Sequence, residues 1–262
     1  MYMKSANRLL VGFLFLFLLA PVIMVFPISL PGDSYISWPP SSWSFRWYEA
    51  LLNQPQLGRA LINSLTLAAI VTALSLVIGL MVAFVLVRYP LRGGDTVTSL
   101  FSLPLILPTI VLGIGLLMLF AERGWQGTWT GLVIGHMTIT LPYAIRVLIT
   151  SLKTLPADIE AAAASLGASP WRVIRHVTVP LIASGITAAG TLSFLVSFDE
   201  VVISIFIVGP RLTTFPVELY NMVYLRSDPL VAAVSGVLVL ATLLVVILLE
   251  RLVGLRTAIG NG

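Results

Sequence analysis

The stretch Leu230–Leu249, LVAAVSGVLVLATLLVVILL, decides what kind of fold this chain adopts. Its twenty residues carry no charge, and as an α-helix they rise about 30 Å, the thickness of a bilayer's hydrocarbon core. A transmembrane β-strand would instead alternate apolar and polar residues over about ten positions. Leu238–Leu249 shows no such alternation. The stretch reads as a membrane-spanning helix.

Working outward from it, five further apolar runs appear: Leu9–Leu30, Leu61–Val87, Leu100–Phe120, Leu132–Leu152 and Ala183–Val208. The composition agrees. Of 262 residues, 58% are hydrophobic and 10% are charged, against about 25% charged in soluble domains, and the mean hydropathy is +1.02. Such a chain cannot cover a water-facing surface. The expectation is an all-α integral membrane protein, one transmembrane domain over residues 1–262 with six spans. Lys4 and Arg8 precede the first run as in a signal peptide, but Pro21, Pro27 and the lack of an Ala-x-Ala-like site favour a retained helix.

Basic residues orient the bundle. Lys4, Arg8, Arg88, Arg92, Arg146, Lys153, Arg172, Arg175, Arg251 and Arg256 fall on one side of the six runs, and Arg46, Arg59, Arg123, Arg211 and Arg226 on the other. The positive-inside rule then predicts both termini in the cytoplasm. Between the first two runs, the external segment Pro31–Gly58 holds Trp38, Trp43, Phe45, Trp47 and Tyr48. Amphipathic rings favour the headgroup layer, so this segment is expected along the outer interface, in preference to a carbohydrate platform.

Most enzymatic chemistry is absent. Without cysteine there are no disulfides or thiolate sites, and His136 and His176 form no His-Glu-x-x-His zinc pair. Neither Lys4 nor Lys153 follows a glycine, so no phosphate-binding loop exists. Ser184-Gly185 and Ser235-Gly236 lack the Gly-x-Ser-Gly context of a serine hydrolase. The excess of four positive charges is too small to argue for nucleic acid. His136 is expected to be a packed or water-facing residue of the fourth span.

The most informative polar segment lies between the fourth and fifth runs: Lys153–Ile182, KTLPADIEAAAASLGASPWRVIRHVTVPLI. Pro156 and Asp158 mark the start of a helix over Asp158–Leu166. Gly167 suits the left-handed conformation that ends it. Ser169 as N-cap and Pro170 at the first turn begin a second short helix, which runs to the turn at Pro180. The segment reads as a helix–glycine–helix elbow. A connector lying on the headgroups would account for Arg172 and Arg175, and less well for the four successive alanines.

This elbow resembles the EAA loop of permease subunits of type I ABC importers. That pattern is Glu-Ala-Ala, three residues, Gly, nine residues, then Ile-x-Leu-Pro. From Gly167, nine residues lead to Val177-Thr178-Val179-Pro180. Upstream the chain departs from the motif, because Ala161 occupies the glutamate position while Glu160 comes one residue earlier, before Ala162-Ala163. A one-residue offset turns a helical side chain by about 100°. The resemblance implies an ATPase-coupling loop made of Asp158, Glu160, Ala161, Ala162, Ala163, Leu166, Gly167, Ser169, Trp171, Arg172 and Pro180.

It extends further along the chain. Trp47-Tyr48-x-x-Leu51 and Asn63-Ser64-Leu65 resemble the segment leading into the second helix of these permeases. Ser197-Phe198-Asp199-Glu200-Val201-Val202-Ile203-Ser204, Gly209-Pro210 and Phe215-Pro216-Val217-Glu218-Leu219-Tyr220 resemble the spermidine/putrescine branch. A bacterial inner-membrane importer subunit for polyamine is implied, working by alternating access with a second permease, two ATPase subunits and an external binding protein. ATP and Mg2+ would sit on the ATPases, with no cofactor or metal in this chain. Other cargoes in the same architecture are an amino acid, another amine, thiamine or iron. A stand-alone secondary transporter and a membrane subunit that only docks a signalling partner are the other classes; no internal repeat favours the former.

Asp199 and Glu200 fall inside the fifth apolar run, 17 and 18 residues beyond Ile182. A carboxylate in lipid costs at least about 2.5 kcal/mol, so it should face protein or a water-filled cavity. Two readings stand side by side: one acid attracts a cationic substrate, or the pair forms a salt bridge or helix cap. Pro104, Pro108, Pro142, Gly113, Gly115 and Gly135 likewise suit either hinges or static kinks. Tyr220, in the external loop Arg211–Pro229, is either an interfacial anchor or a contact for the binding protein.

Overall fold

The computed structural model describes residues 2–89, 92–225 and 229–253. Arg226 and Arg256 lie outside the described residues, as do the side chains of Lys4 and Arg251. The helices are α1 (Tyr2–Ile28), α2 (Arg46–Leu52), α3 (Pro55–Arg88), α4 (Gly94–Ser102), α5 (Thr109–Arg123), α6 (Trp129–Thr154), α7 (Ala157–Ser165), α8 (Pro170–Val173), α9 (Val179–Leu181), α10 (Ala183–Phe198), α11 (Val202–Ile207), α12 (Phe215–Leu225) and α13 (Leu230–Val253). Extended pairing among the described residues is limited to two isolated bridges, Pro31 with Trp43 and Gly209 with Leu212. The described chain forms two compact units: residues up to Pro55 with those from Asn221 onward, and Gln56–Tyr220.

In the first unit, α13 packs against α1 and α2. The exit from α1 is tied into a small knot. The Gly32 N–H donates to the Ser42 carbonyl at 2.8 Å and the Ser44 N–H to that of Leu30 at 2.8 Å. The indole N–H of buried Trp47 donates to the Pro31 carbonyl at 2.9 Å, and the Arg46 guanidinium lies 4.6 Å over its ring. Tyr48 pairs with Ser29 at 2.7 Å. The expected aromatic belt is therefore divided: Trp38, Trp43 and Phe45 are exposed, whereas Trp47 and Tyr48 hold the knot together.

In the second unit, α3, α5, α6, α10 and α11 surround a core of Leu67, Val71, Leu116, Phe120, Leu132, Ile139, Ile203 and Ile207. A second cluster, Ala83, Leu148, Leu152, Leu155, Ile182 and Ala189, lies toward the elbow. Three described helices are long and apolar enough to cross a membrane: α1, α3 and α6. There are up to five if each of two bent pairs makes one span. The third run is one of those bent pairs, where hydropathy alone predicted an unbroken helix; in the other, the bend lies between the elbow and the start of the fifth run.

The third run turns by 93° between α4 with its following 3-10 turn and α5. Pro104 sits in that turn, and Pro108 adopts an extended conformation immediately before α5. Proline has no N–H and its ring collides with the carbonyl four residues back, so the pair ends one helix and starts another. Pro142, by contrast, sits within a continuous α6. Gly113 and Gly135 are close-approach sites: an added Cβ would meet the side chains of Phe206 and Ile207 respectively. Those two positions serve contact between helices.

The elbow meets α10 through a 74° bend at Ile182, two residues past the turn expected at Pro180. The fifth run itself breaks at Asp199–Val201 before α11, where hydropathy predicted an unbroken helix. The segment expected as an external loop, Arg211–Pro229, contains α12. Its start is fastened by the Ser64 hydroxyl, which accepts from the Phe215 N–H at 2.8 Å, and by the Asn63 amide, which donates to the Thr213 carbonyl at 3.1 Å.

Candidate functional site

The elbow is built from local signals. Its first helix, α7, begins after Pro156 and carries Asp158 and Glu160 in its first turn, where the helix dipole favours negative charge. Gly167 takes a φ of +86°. Its N–H donates to the Ala164 carbonyl at 2.9 Å and that of Ala168 to Ala163 at 3.2 Å, the paired bonds of a Schellman ending. Ser169 precedes Pro170 as expected, but its side chain makes no capping bond; its carbonyl instead accepts from the Val173 N–H at 2.9 Å. The second arm is also not a plain α-helix. Ile174–Thr178 form a π-helical turn between α8 and α9, and the chain passes Pro180 before turning at Ile182.

Most of the expected coupling residues face outward. Asp158, Ala161, Ala162, Leu166, Gly167, Ser169, Trp171, Arg172 and Pro180 are exposed, and Ala163 is half-buried. Leu166 at 90% and Trp171 at 69% exposure are large apolar groups left uncovered on a polar segment. Glu160 is different. Its Oε2 lies 2.6 Å from Arg88 Nε, with both side chains nearly buried, and its Oε1 accepts from the buried Thr178 hydroxyl at 2.6 Å. The Arg88 Nε–H is not aimed at an acceptor, so that contact is an ion pair and not a linear hydrogen bond. Arg88 Nη2 donates to the Leu155 carbonyl at 3.1 Å, an orphan acceptor at the end of α6.

A second polar constellation lies inside the apolar layers. Buried His136 on α6 reaches Ser197 of α10 through Nδ1 at 3.0 Å and Ser204 of α11 through Nε2 at 2.9 Å. The Ser204 hydroxyl donates its proton to the Glu200 carbonyl at 2.8 Å. With its proton on that carbonyl, Ser204 accepts from the imidazole when Nε2 carries the hydrogen, the tautomer in which Nδ1 accepts from Ser197. One imidazole thus bridges both sides of the α10–α11 break. Below it, Thr140 donates to the His136 carbonyl and meets Ser75 of α3 at 3.0 Å.

The two acids at the break differ in role. Glu200 Oε1 accepts from the Ile203 N–H at 2.8 Å and so caps α11. Asp199 is exposed, and among the described residues its carboxylate makes no hydrogen bond or salt bridge. No group of three His, Cys, Asp or Glu side chains among the described residues is placed to hold a metal ion. Gly185 lies where an added Cβ would strike the Ser151 side chain of α6. That contact accounts for the Ser184-Gly185 pair.

With this geometry established, likeness to known proteins is informative. Residues 75–258 match the family described as binding-protein-dependent transport system inner membrane component. The chain belongs to this family. A spermidine/putrescine transport system permease protein PotC from Shigella flexneri is 31% identical over 95% of this chain and 94% of its own length. A putrescine transport system permease protein PotI from Escherichia coli K12 is 33% identical over 87% and 82%. Among solved structures, a bacterial ABC transporter involved in the import of the acidic polysaccharide alginate matches with a TM-score of 0.76, at 16% identity and covering 97% of this chain and 95% of that one. The MetNI methionine ABC transporter matches at 0.57, with 18% identity over 77% and 94%. These likenesses establish the type I ABC permease fold. The chain is a multi-pass transport-system membrane component and not itself an enzyme, since ATP hydrolysis belongs to a separate subunit.

For a permease of this family, the structure brings together residues that sequence reading kept apart. Arg88 and Thr178 were not among the expected site residues, yet both hold Glu160. Arg88 gave a faint signal as the charge ending a 34-residue helix that is apolar through its middle. His136 carried none beyond being a lone histidine in a span. Tyr220 lies exposed on α12.

Proposed function

We propose that this permease forms half of the pathway of an ATP-driven importer for a small cationic solute, a polyamine of the spermidine/putrescine type. The single observation that carries this reading is Asp199: an exposed carboxylate at a helix break inside an apolar run, with its neighbour Glu200 already used as a cap. A negative charge left without a partner at such a place is costly. A protonated amine passing it would offset that cost. The curated relatives named for spermidine and putrescine support the same cargo.

In the assembled transporter, the six apolar runs would all cross the bacterial inner membrane, with both termini cytoplasmic. A second permease would complete the pathway, and an external binding protein would deliver the substrate. Two ATPase subunits carrying ATP and Mg2+ would dock on the elbow, where Leu166 and Trp171 supply the apolar contact. Nucleotide-driven closure would push the elbow, and alternating access would follow.

Reconstitution in proteoliposomes with the partner permease, ATPase and cognate binding protein tests this. The expected result is ATP-dependent uptake of labelled spermidine or putrescine that collapses in Asp199→Asn while the complex still assembles. Uptake of an amino acid or thiamine in place of polyamine would reject the cargo. Failure to co-purify with any ATPase would reject the importer reading in favour of a solitary transporter.

A further inference from the structure

We infer that Glu160 is a positioning residue that latches the elbow to the long helix α3, so that the elbow and α3 move as one body. This deepens the importer reading and rests on it. The motif's usual place for a glutamate is taken by Ala161, and the acid one residue earlier points inward instead of toward a docking partner. There it engages three elements at once: α3 through Arg88, the π-helical turn through Thr178 and, by way of Arg88, the end of α6 at Leu155.

Each partner has a physical reason to be there. Arg88 places a positive charge at the C-terminal ends of both α3 and α6, and Glu160 places a negative charge at the N-terminal end of α7, the favourable arrangement for all three helix dipoles. Thr178 is buried, so its hydroxyl needs an acceptor. It donates to the oxygen of Glu160 that Arg88 leaves free.

The π-helical turn contributes to the same contact. A π-turn adds a residue to the helical repeat and re-aims the side chains that follow. Here it brings Thr178 to the node just before Pro180, which cannot continue an α-helical hydrogen-bond ladder. Removing one member of a nearly buried ion pair leaves the other charge uncompensated. The latch therefore either holds or fails as a unit. Its mechanical consequence is direct: a force on exposed Leu166 or Trp171 reaches α3 without being absorbed by bending at Pro156.

The test uses the complete transporter. The chain has no cysteine, so spin labels can be placed at Ser165→Cys on α7 and Val85→Cys on α3, both exposed positions. In the wild-type background the expected label distance is narrow and unchanged between nucleotide-free and ATP-bound complexes. In Glu160→Gln it broadens and becomes nucleotide-dependent, and polyamine taken up per ATP hydrolysed falls about fivefold or more, the scale of an ordinary coupling free energy. The charge reversal Arg88→Glu with Glu160→Arg should recover part of what either change alone loses, which independent effects of the two side chains do not predict. A wild-type distance that shifts with ATP overturns the latch, as does a Glu160→Gln complex with unchanged distance and unchanged yield. If the wild-type complex hydrolyses ATP but imports no polyamine, the cargo is wrong, and the label distances still judge the latch.

Discussion

The elbow and the α10–α11 break are both interruptions of a helical run next to acidic residues, and they treat those acids in opposite ways. At the elbow, Glu160 is paired with Arg88 and bonded by Thr178. At the break, side-chain hydrogen bonds hold the backbone: His136 bridges Ser197 and Ser204, Glu200 caps α11, and Asp199 is left exposed. An acid whose charge is neutralised by the protein can transmit a displacement. An acid whose charge is left free can attract a ligand.

The strongest way to break this comparison is to remove the free charge. Asp199→Asn keeps the size of the side chain and removes its attraction for an ammonium group. A hydrogen bond to a charged group is worth about 1.5–3 kcal/mol, so uptake should fall roughly tenfold to a hundredfold at subsaturating substrate. Glu200→Gln is the matched control. Its amide oxygen still accepts from the Ile203 N–H, and uptake should stay within about threefold of wild type on the scale of a neutral hydrogen bond. Equal losses in both variants would show that the two acids share one role.

The next largest effect should come from the His136 clamp. His136→Ala leaves two buried serine hydroxyls short of a partner and opens a cavity, which together cost about 2–4 kcal/mol. Thermal melting of the detergent-solubilised complex should detect it. His136→Gln, which can still donate across the break, should recover part of that loss. At the elbow, Thr178→Val removes one hydrogen bond to the Glu160 carboxylate but keeps the ion pair, and should cost about 1.5–3 kcal/mol. Its effect on uptake per ATP should be smaller than that of Glu160→Gln.

What could be read from sequence follows the range of the interaction. Pro156, Gly167 and Pro170 act within a few residues of themselves, so the elbow's start, its left-handed ending and its second arm were legible. The apolar runs were legible as solvent preference, but hydropathy has no direction. It could not show the 93° turn at Pro104–Pro108 or the break at Asp199–Val201, although the prolines marked the first, as Pro180 marked the turn completed at Ile182. Helix α12 was hidden because its anchors, Asn63 and Ser64, lie about 150 residues away. The pairing of Arg88 with Glu160 and the bridge from His136 are likewise set by how α3, α6 and α10 pack. No local pattern encodes them.

Asp33 sharpens the comparison from a third setting, because it is hydrogen-bonded like Glu160 but sits in water. Its carboxylate accepts from the Ser41 hydroxyl at 2.6 Å, the Ser41 N–H at 3.2 Å and the Ser37 hydroxyl at 3.0 Å. These bonds, chiefly the one from the Ser41 hydroxyl, hold its pKa below the ordinary carboxylate value. A depressed folded-state pKa means that the contribution to folding is present above the unfolded value, about 3.9, and is lost as pH falls through the lower folded value. Hydrogen exchange of the amides between Pro31 and Ser44 should therefore be unaffected by pH from neutrality down to about 5, beyond the intrinsic chemical dependence, and protection should fall on further acidification. Asp33→Asn should remove that acid-dependent step while changing transport at neutral pH least of all these variants. Water already solvates this charge, so the protein gains little by pairing it.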